Sequence, residues 1–228
     1  MKGNLYLIST PIGNLEDITF RAIKILKEVD GIVCESTDKA KILLFHYQIK
    51  KPLIHLSDEN QLQIVPYILE KIFSGKNLAL ISDAGTPVIS DPGFFLVKQV
   101  IKKGIKIVPI PGPSSILTAL ITSGLPPQPF LFFGFLPKKP SEKRKIFKEL
   151  FNFKIQKEKP TIIFFESPKR IIETLEIIYQ ISQNTQISIA REMTKVFEEF
   201  IRGRISEVLK SLKERKEIKG EVTVTLSF

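Results

Sequence analysis

The sequence predicts an α/β protein of two domains, the first on a mostly parallel sheet and the second on a mixed sheet with helices packed against it. Three observations predict this. Short β-rich runs alternate with amphipathic helical stretches through the first half, glycines close two of those stretches, and a proline-rich segment divides the chain. The first run is NLYLIS at residues 4–9, followed by the helical DITFRAIKILKEVD at 17–30. GIVCES at 31–36 reads as the second strand, DKAKILLFHY at 38–47 as the next helix and KPLIHL at 51–56 as the third strand. A helix over 59–75 closes at Gly75, NLALIS at 77–82 returns as a strand, a helix over 93–104 closes at Gly104, and IKIVPI at 105–110 is the fifth strand. ILTALITS at 116–123 then reads as a helix.

The segment SGLPPQP at 123–129 carries three prolines and a glycine, which places a linker there between domains at 1–122 and 130–228. Beyond it the reading gives a strand at FLFFGFLP, a basic helix from Ser141 to Phe151, and a strand at PTIIFFES. A helix at RIIETLEIIYQIS, strands at ISIAREMT and VFEEFIRG, a helix at ISEVLKSLKERK and a final strand at GEVTVTLSF complete it.

Thirty-four basic against twenty-four acidic side chains give a net charge of +10 over 228 residues, which points to a polyanionic partner. The densest basic run is Lys138, Lys139, Lys143, Arg144, Lys145 and Lys148, and Lys138, Lys139, Lys143 and Arg144 are its expected RNA-contacting residues. The single cysteine, Cys34, excludes an intrachain disulfide and a thiolate zinc cage. No apolar run approaches the roughly 20 residues of a membrane span, so a cytoplasmic location and no membrane partner are expected.

In parallel sheets ligands sit beyond the carboxyl ends of the strands, so the loops there are the candidates for chemistry. Ser9-Thr10-Pro11-Ile12-Gly13-Asn14 ends the first strand. The loop SDAGTPVISDPG at 82–93 concentrates two aspartates, two prolines and two glycines in twelve positions, a density that suits a ligand lying against backbone. PIPGPSS at 109–115 opens a helix at Ser114 or Ser115, where free amides can meet an anion. Dinucleotide and P-loop fingerprints are absent, and His46 and His55 have no metal-ligand spacing, so both read as surface or packing residues. The set TPIGNLEDIT, LLFHYQI, SDAGTPVISDPG, VPIPGPSS, GFLP, FFESPKR and AREMTKVFEEFIRG, in that order, closely resembles the ribosomal RNA 2′-O-ribose methyltransferases of the tetrapyrrole methylase superfamily, which act on a decoding-centre cytidine of small-subunit (16S) rRNA.

The resemblance runs from about residue 4 to the C-terminus and implies a two-domain tetrapyrrole-methylase-like fold, S-adenosylmethionine in the interdomain cleft, a homodimer, and rRNA, in the assembled 30S particle, as partner. It implies cofactor contacts from Ile12, Asp83, Gly85, Thr86, Ser114 and Ser115, with Phe165, Ala190 and Gly220 from the second domain. Candidate catalytic residues are Glu35, Glu166, Lys169 and Glu192; metal is not expected. The chain departs from the family pattern at Glu35-Ser36-Thr37-Asp38 (usually Glu-Asp-Thr-Arg), at Ser57-Asp58-Glu59-Asn60-Gln61 (usually His-Glu-His-Asn-Glu) and at Lys169 (usually His). The alternatives are a corrinoid or porphyrin methyltransferase of the same superfamily and a ribosome-binding protein without catalysis.

Overall fold

The computed structural model describes residues 2–155 and 158–228. The chain forms two compact units, one up to Ser114 and one from Ser115 onward. In the first, β1 (Leu5–Ile8), α1 (Phe20–Glu28), β2 (Gly31–Cys34), α2 (Thr37–His46), β3 (Leu53–His55), α3 (Gln61–Phe73), β4 (Leu78–Ile81), α4 (Phe94–Lys102) and β5 (Ile107–Ile110) follow one another. The five strands are parallel in the order β3-β2-β4-β1-β5. Covered on both faces, they read as continuous apolar runs, yet alternate residues separate cleanly. Ile8, Ile32, Cys34, Ala79 and Ile81 face α1 and α2, with Ala22, Leu26, Leu43 and Leu44. Leu5, Val33, Leu78 and Leu80 face α3 and α4, with Val65, Ile68, Ile72, Leu96 and Val100. Register aligns Ile8 with Ile81 and Ile110, and Cys34 with Ile81 and His55, so the carboxyl ends of all five strands are level.

The second unit comprises α5 (Ser115–Ser123), β6 (Phe130–Phe135), α6 (Pro140–Asn152), β7 (Thr161–Glu166), α7 (Ile171–Ile181), β8 (Gln186–Arg191), β9 (Glu199–Arg204), α8 (Ile205–Lys213) and β10 (Val222–Ser227). Its sheet runs β6-β7-β10-β8-β9, parallel only between β6 and β7 and antiparallel elsewhere. This is the mixed sheet that the sequence predicts. The division into units comes one helix before the 123–129 segment, because α5 lies against β8 and β10 through its buried face of Ala119, Leu120 and Ser123.

Helix α6 starts at Pro140 in the first turn, where a missing N–H costs nothing. Lys143, Phe147 and Leu150 recur at helical spacing on its buried side. This corrects the reading of Lys143 as an RNA contact. Its side chain is fully buried, with Nζ 3.2 Å from Glu166 and 3.1 Å from Glu173, and it donates to Thr174 Oγ1 at 2.8 Å. Lys138, Lys139, Lys145 and Lys148 are exposed and Arg144 is half-buried, donating to Gln180 Oε1 at 2.6 Å.

Candidate active site

Three neighbouring strands, β4, β1 and β5, send their loops out from one edge of the first sheet, and short polar contacts staple those loops together. Thr10 and Gly85 form an isolated bridge, with Thr10 N–H donating to Gly85 O at 2.9 Å and Gly85 N–H returning to Thr10 O at 3.0 Å. Thr10 Oγ1 donates to Ser82 O at 3.1 Å, and Ser82 Oγ donates to Gly85 O at 3.0 Å. Thr86 Oγ1 completes the staple, lying 3.3 Å from Ser9 Oγ and donating to Pro113 O at 3.3 Å. Gly85 has φ +82°, and a Cβ there would come within 3.3 Å of Ile12 Cγ2. The sequence-predicted Ile12, Gly85 and Thr86 thus share one cradle, and Ser114 ends the strand-to-helix loop on whose Pro113 the staple closes.

Farther along the β4 loop, Val88 and Ser90 hold φ of +76° and +65°. A β-branched residue there is strained, of order 1–3 kcal/mol, and such strain collects at ligand-binding loops. Asp83 at the start of the loop is not a free carboxylate. It accepts from Ser36 N–H at 3.0 Å and pairs with Lys39 at 3.0 Å, so it ties the loop to the N-terminal turn of α2. Burial, and then the negative charges of Glu35 and Asp83, push the Asp91 carboxyl up to about 7. Glu35 is also raised, by burial first and Asp83 second. Asp91 is the functional candidate that sequence reasoning missed. The signal was the second aspartate of the SDAGTPVISDPG loop.

His55, read as a surface or packing residue, ends β3 at the same edge. Asn60 Oδ1 is taken by Ser57 N–H at 2.9 Å, which turns the Asn60 amide nitrogen toward His55, 3.1 Å from its carbonyl and 3.2 Å from Nδ1. Nδ1 is therefore an acceptor, and a neutral His55 carries its proton on Nε2.

In the second unit the expected residues separate into roles. Glu166, a catalytic candidate, is buried and saturated: Ser167 N–H donates to it at 2.7 Å, Thr174 Oγ1 at 2.7 Å, and Arg170 Nη2 and Lys143 Nζ lie at 2.7 and 3.2 Å. With every lone-pair direction occupied it cannot accept a substrate proton, which corrects that assignment. Glu192 is likewise engaged, accepting from Glu221 N–H and Lys195 Nζ, both at 2.9 Å, and the Glu221 amide with Lys195 holds its carboxyl below the usual range. A general base needs the opposite shift. Gly220 makes room for this carboxylate, since a Cβ there would meet Glu192 Cδ at 2.4 Å with φ at +91°. Lys169 is exposed, Ala190 is 1% exposed within β8, and Phe165 is half-buried against the rings of Phe132 and Phe135 at 5.0 and 5.2 Å. Ser115 begins α5.

Arg191 pairs with Glu199 at 3.0 Å, and Arg215 grips the same carboxylate with both guanidinium nitrogens. Those hydrogen bonds hold Glu199 down to about 2. Because its folded value lies below the unfolded one, its stabilisation is complete above pH ~4.5 and disappears as pH falls toward about 2. Glu199→Gln should therefore lower the urea midpoint at pH 7 and flatten its acid limb, as followed by circular dichroism; an acid limb identical to wild type would remove this triad from the pH response.

The profile of the Tetrapyrrole (Corrin/Porphyrin) Methylases matches residues 4–209. The chain is 45% identical over 225 residues to a Ribosomal RNA small subunit methyltransferase I of Thermotoga maritima, covering 99% of this chain and 98% of that one. It is 47% identical over 224 residues to a protein of the same name from Hydrogenobaculum sp., covering 98% and 95%. Among solved structures it resembles uroporphyrin-III C-methyl transferase from Thermus thermophilus complexed with S-adenyl homocysteine. There the TM-score is 0.63 at 14% identity, over 98% of this chain and 97% of that one, a likeness of fold. The stapled strand-end loops, the two-sheet architecture and these matches over nearly the whole length lead to one conclusion: the chain belongs to the tetrapyrrole methylase family.

Proposed function

We propose that this protein transfers the methyl group of S-adenosylmethionine to the ribose 2′-hydroxyl of a decoding-centre cytidine in small-subunit ribosomal RNA. One observation carries the reading: the nearly full-length match to relatives named as ribosomal RNA small subunit methyltransferases. The first unit's cradle fits the donor. Gly85 packs its Cα face closely against Ile12, and the Thr86 hydroxyl and Asp83 carboxylate supply the polar partners that ribose hydroxyls and an amino-acid end require. Ser114, Ser115, Phe165, Ala190 and Gly220 are the further proposed contacts. When bound, S-adenosylmethionine supplies an activated methyl on sulfonium.

The chain's own work is alignment of the ribose oxygen and acceptance of its proton. A ribose hydroxyl is a poor nucleophile at neutral pH, so a positioned base contributes ~10²–10⁴-fold. Asp91, in the loop that ends β4 and with its affinity for a proton raised to about 7 by burial first and then by the charges of Glu35 and Asp83, is the carboxylate we assign to this task. Lys169, exposed at the end of the β7 turn, is assigned to the RNA side.

Label from S-adenosylmethionine should enter small-subunit rRNA or the assembled 30S particle and leave tetrapyrroles unlabelled. Label in a macrocycle would replace this reading with corrinoid or porphyrin methylation, and no label anywhere would leave a fold without catalysis. The basic rim at the start of α6, exposed at Lys138 and Lys139 and half-buried at Arg144, makes a second expectation. Replacing Lys138, Lys139 and Arg144 together by alanine should weaken rRNA binding by roughly tenfold or more at 0.15 M salt while calorimetry shows unchanged S-adenosylmethionine affinity. Parallel loss of both would make the rim structural.

A further inference from the structure

Helix α2 ends in a way that builds a second basic surface, on the first unit. After its C-cap Tyr47, Gln48 takes φ +55°; Ile49 N–H donates to Leu44 O at 2.8 Å and Gln48 N–H to Phe45 O at 3.0 Å. This pair of bonds is a Schellman closure, which folds the following residues back along the last helical turn. Ile49 is thereby buried, and Lys50 and Lys51 come alongside Phe45 and Lys41. Together they border an open depression of about 630 Å³ floored by Leu44, Ile49 and Leu53. The Phe45 ring is 86% exposed there. The depression has three lysines on its border and no carboxylate among its lining residues. Lys41 meets Asp38 at 3.0 Å, a pair exposed on both sides, and no ion pair to Lys50 or Lys51 occurs among the described residues.

An aromatic face among amines is the combination that binds a single-stranded polyanion: the ring stacks a base, and the amines meet the flanking phosphates. An isologous contact with a second copy would instead set these lysines against their own counterparts, with no acid in the lining to offset them. We propose that this depression is an RNA-binding subsite, seating an unpaired base on Phe45 with the neighbouring phosphates at Lys41, Lys50 and Lys51. The proposal rests on the reading of the protein as an rRNA methyltransferase and adds to it a contact surface separate from the α6 rim.

The test uses the full chain and a fluorescently labelled small-subunit rRNA fragment containing the decoding region. Phe45→Ala should weaken binding by roughly 5- to 150-fold, and Lys50→Ala/Lys51→Ala should reduce the slope of log K against log salt by about 1.4, the value for two phosphates on a single strand. S-adenosylmethionine affinity should stay at the wild-type value in both variants. The chain has no tryptophan, so Phe45→Trp provides a single reporter, which should retain affinity and lose fluorescence when RNA stacks on it. If both alanine variants bind RNA as wild type does while the Lys138/Lys139/Arg144 variant loses it, the subsite is wrong and the enzymatic reading stands. If Phe45→Ala changes only the sedimentation of the protein, the depression is a self-association surface and the proposal falls. If the wild-type protein binds no rRNA, the underlying reading fails as well.

Discussion

Glu166→Leu is expected to cost roughly 3–5 kcal/mol of stability, lowering the urea midpoint by roughly 1–2 M at pH 7. The reason is the company the carboxylate keeps. Lys143, fully buried, would retain only Glu173 as a counter-charge, and Glu173 is about half exposed. Arg170, whose Nη1 has no hydrogen-bond partner among the described residues, would also lose the partner of Nη2. The destabilisation comes chiefly from stranding the buried Lys143 rather than from forfeiting a large net attraction, so removing the charges of both Lys143 and Glu166 should restore most of it. Lys143→Met/Glu166→Leu should accordingly lie well above Glu166→Leu in midpoint. Equal midpoints for the single and double variants would show that the pair is not the source of the loss.

Asp91→Asn is expected to lower the rate of methyl transfer ~10²–10⁴-fold with S-adenosylmethionine affinity within a few-fold of wild type. Its carboxyl, raised to about 7 by burial and by Glu35 and Asp83, must be ionised to accept a proton. The wild-type rate should therefore rise with pH through about 7 and level off above it, and the variant should lack that rise. The same shift acts on stability with the opposite sense. Between pH ~3.8 and about 7 the unfolded carboxyl ionises while the folded one stays protonated, so wild-type stability falls across that window, and Asp91→Asn should be the more stable protein at pH 8. An unchanged transfer rate in the variant would return the proton to Glu35 or to another acceptor.

Much of this was legible in the residues. The alternation of NLYLIS, GIVCES, LIH and LALI with amphipathic stretches specifies a parallel sheet, because each strand needs a crossover helix and both faces are covered. The loops ending those strands announce the cradle through their glycines and hydroxyls. Lys143 was misread because a cluster of basic letters was read without its helical period; three and four residues apart, Lys143, Phe147 and Leu150 mark one inward stripe. Glu166 and Glu192 were misread for another reason. Beside near neighbours in the chain, Ser167, Arg170 and Thr174 for the first and Lys195 for the second, each is closed by a partner from another element, Lys143 for Glu166 and Glu221 for Glu192, and that last pairing has no local pattern. Asp91 acquires its raised proton affinity from burial and from Glu35, 56 positions away in the chain, which composition cannot convey. The grouping of α5 with the second unit was hidden as well, since its apolar face would fit either sheet.

The most direct test of the central claim uses rRNA labelled by this protein from methyl-labelled S-adenosylmethionine and then hydrolysed completely in alkali. Cleavage of RNA by alkali requires a free 2′-hydroxyl, so a ribose methyl protects the bond on its 3′ side. Recovery of the label in an alkali-resistant dinucleotide carrying a cytidine is the predicted result; recovery in mononucleotides would place the methyl on a base and contradict the account.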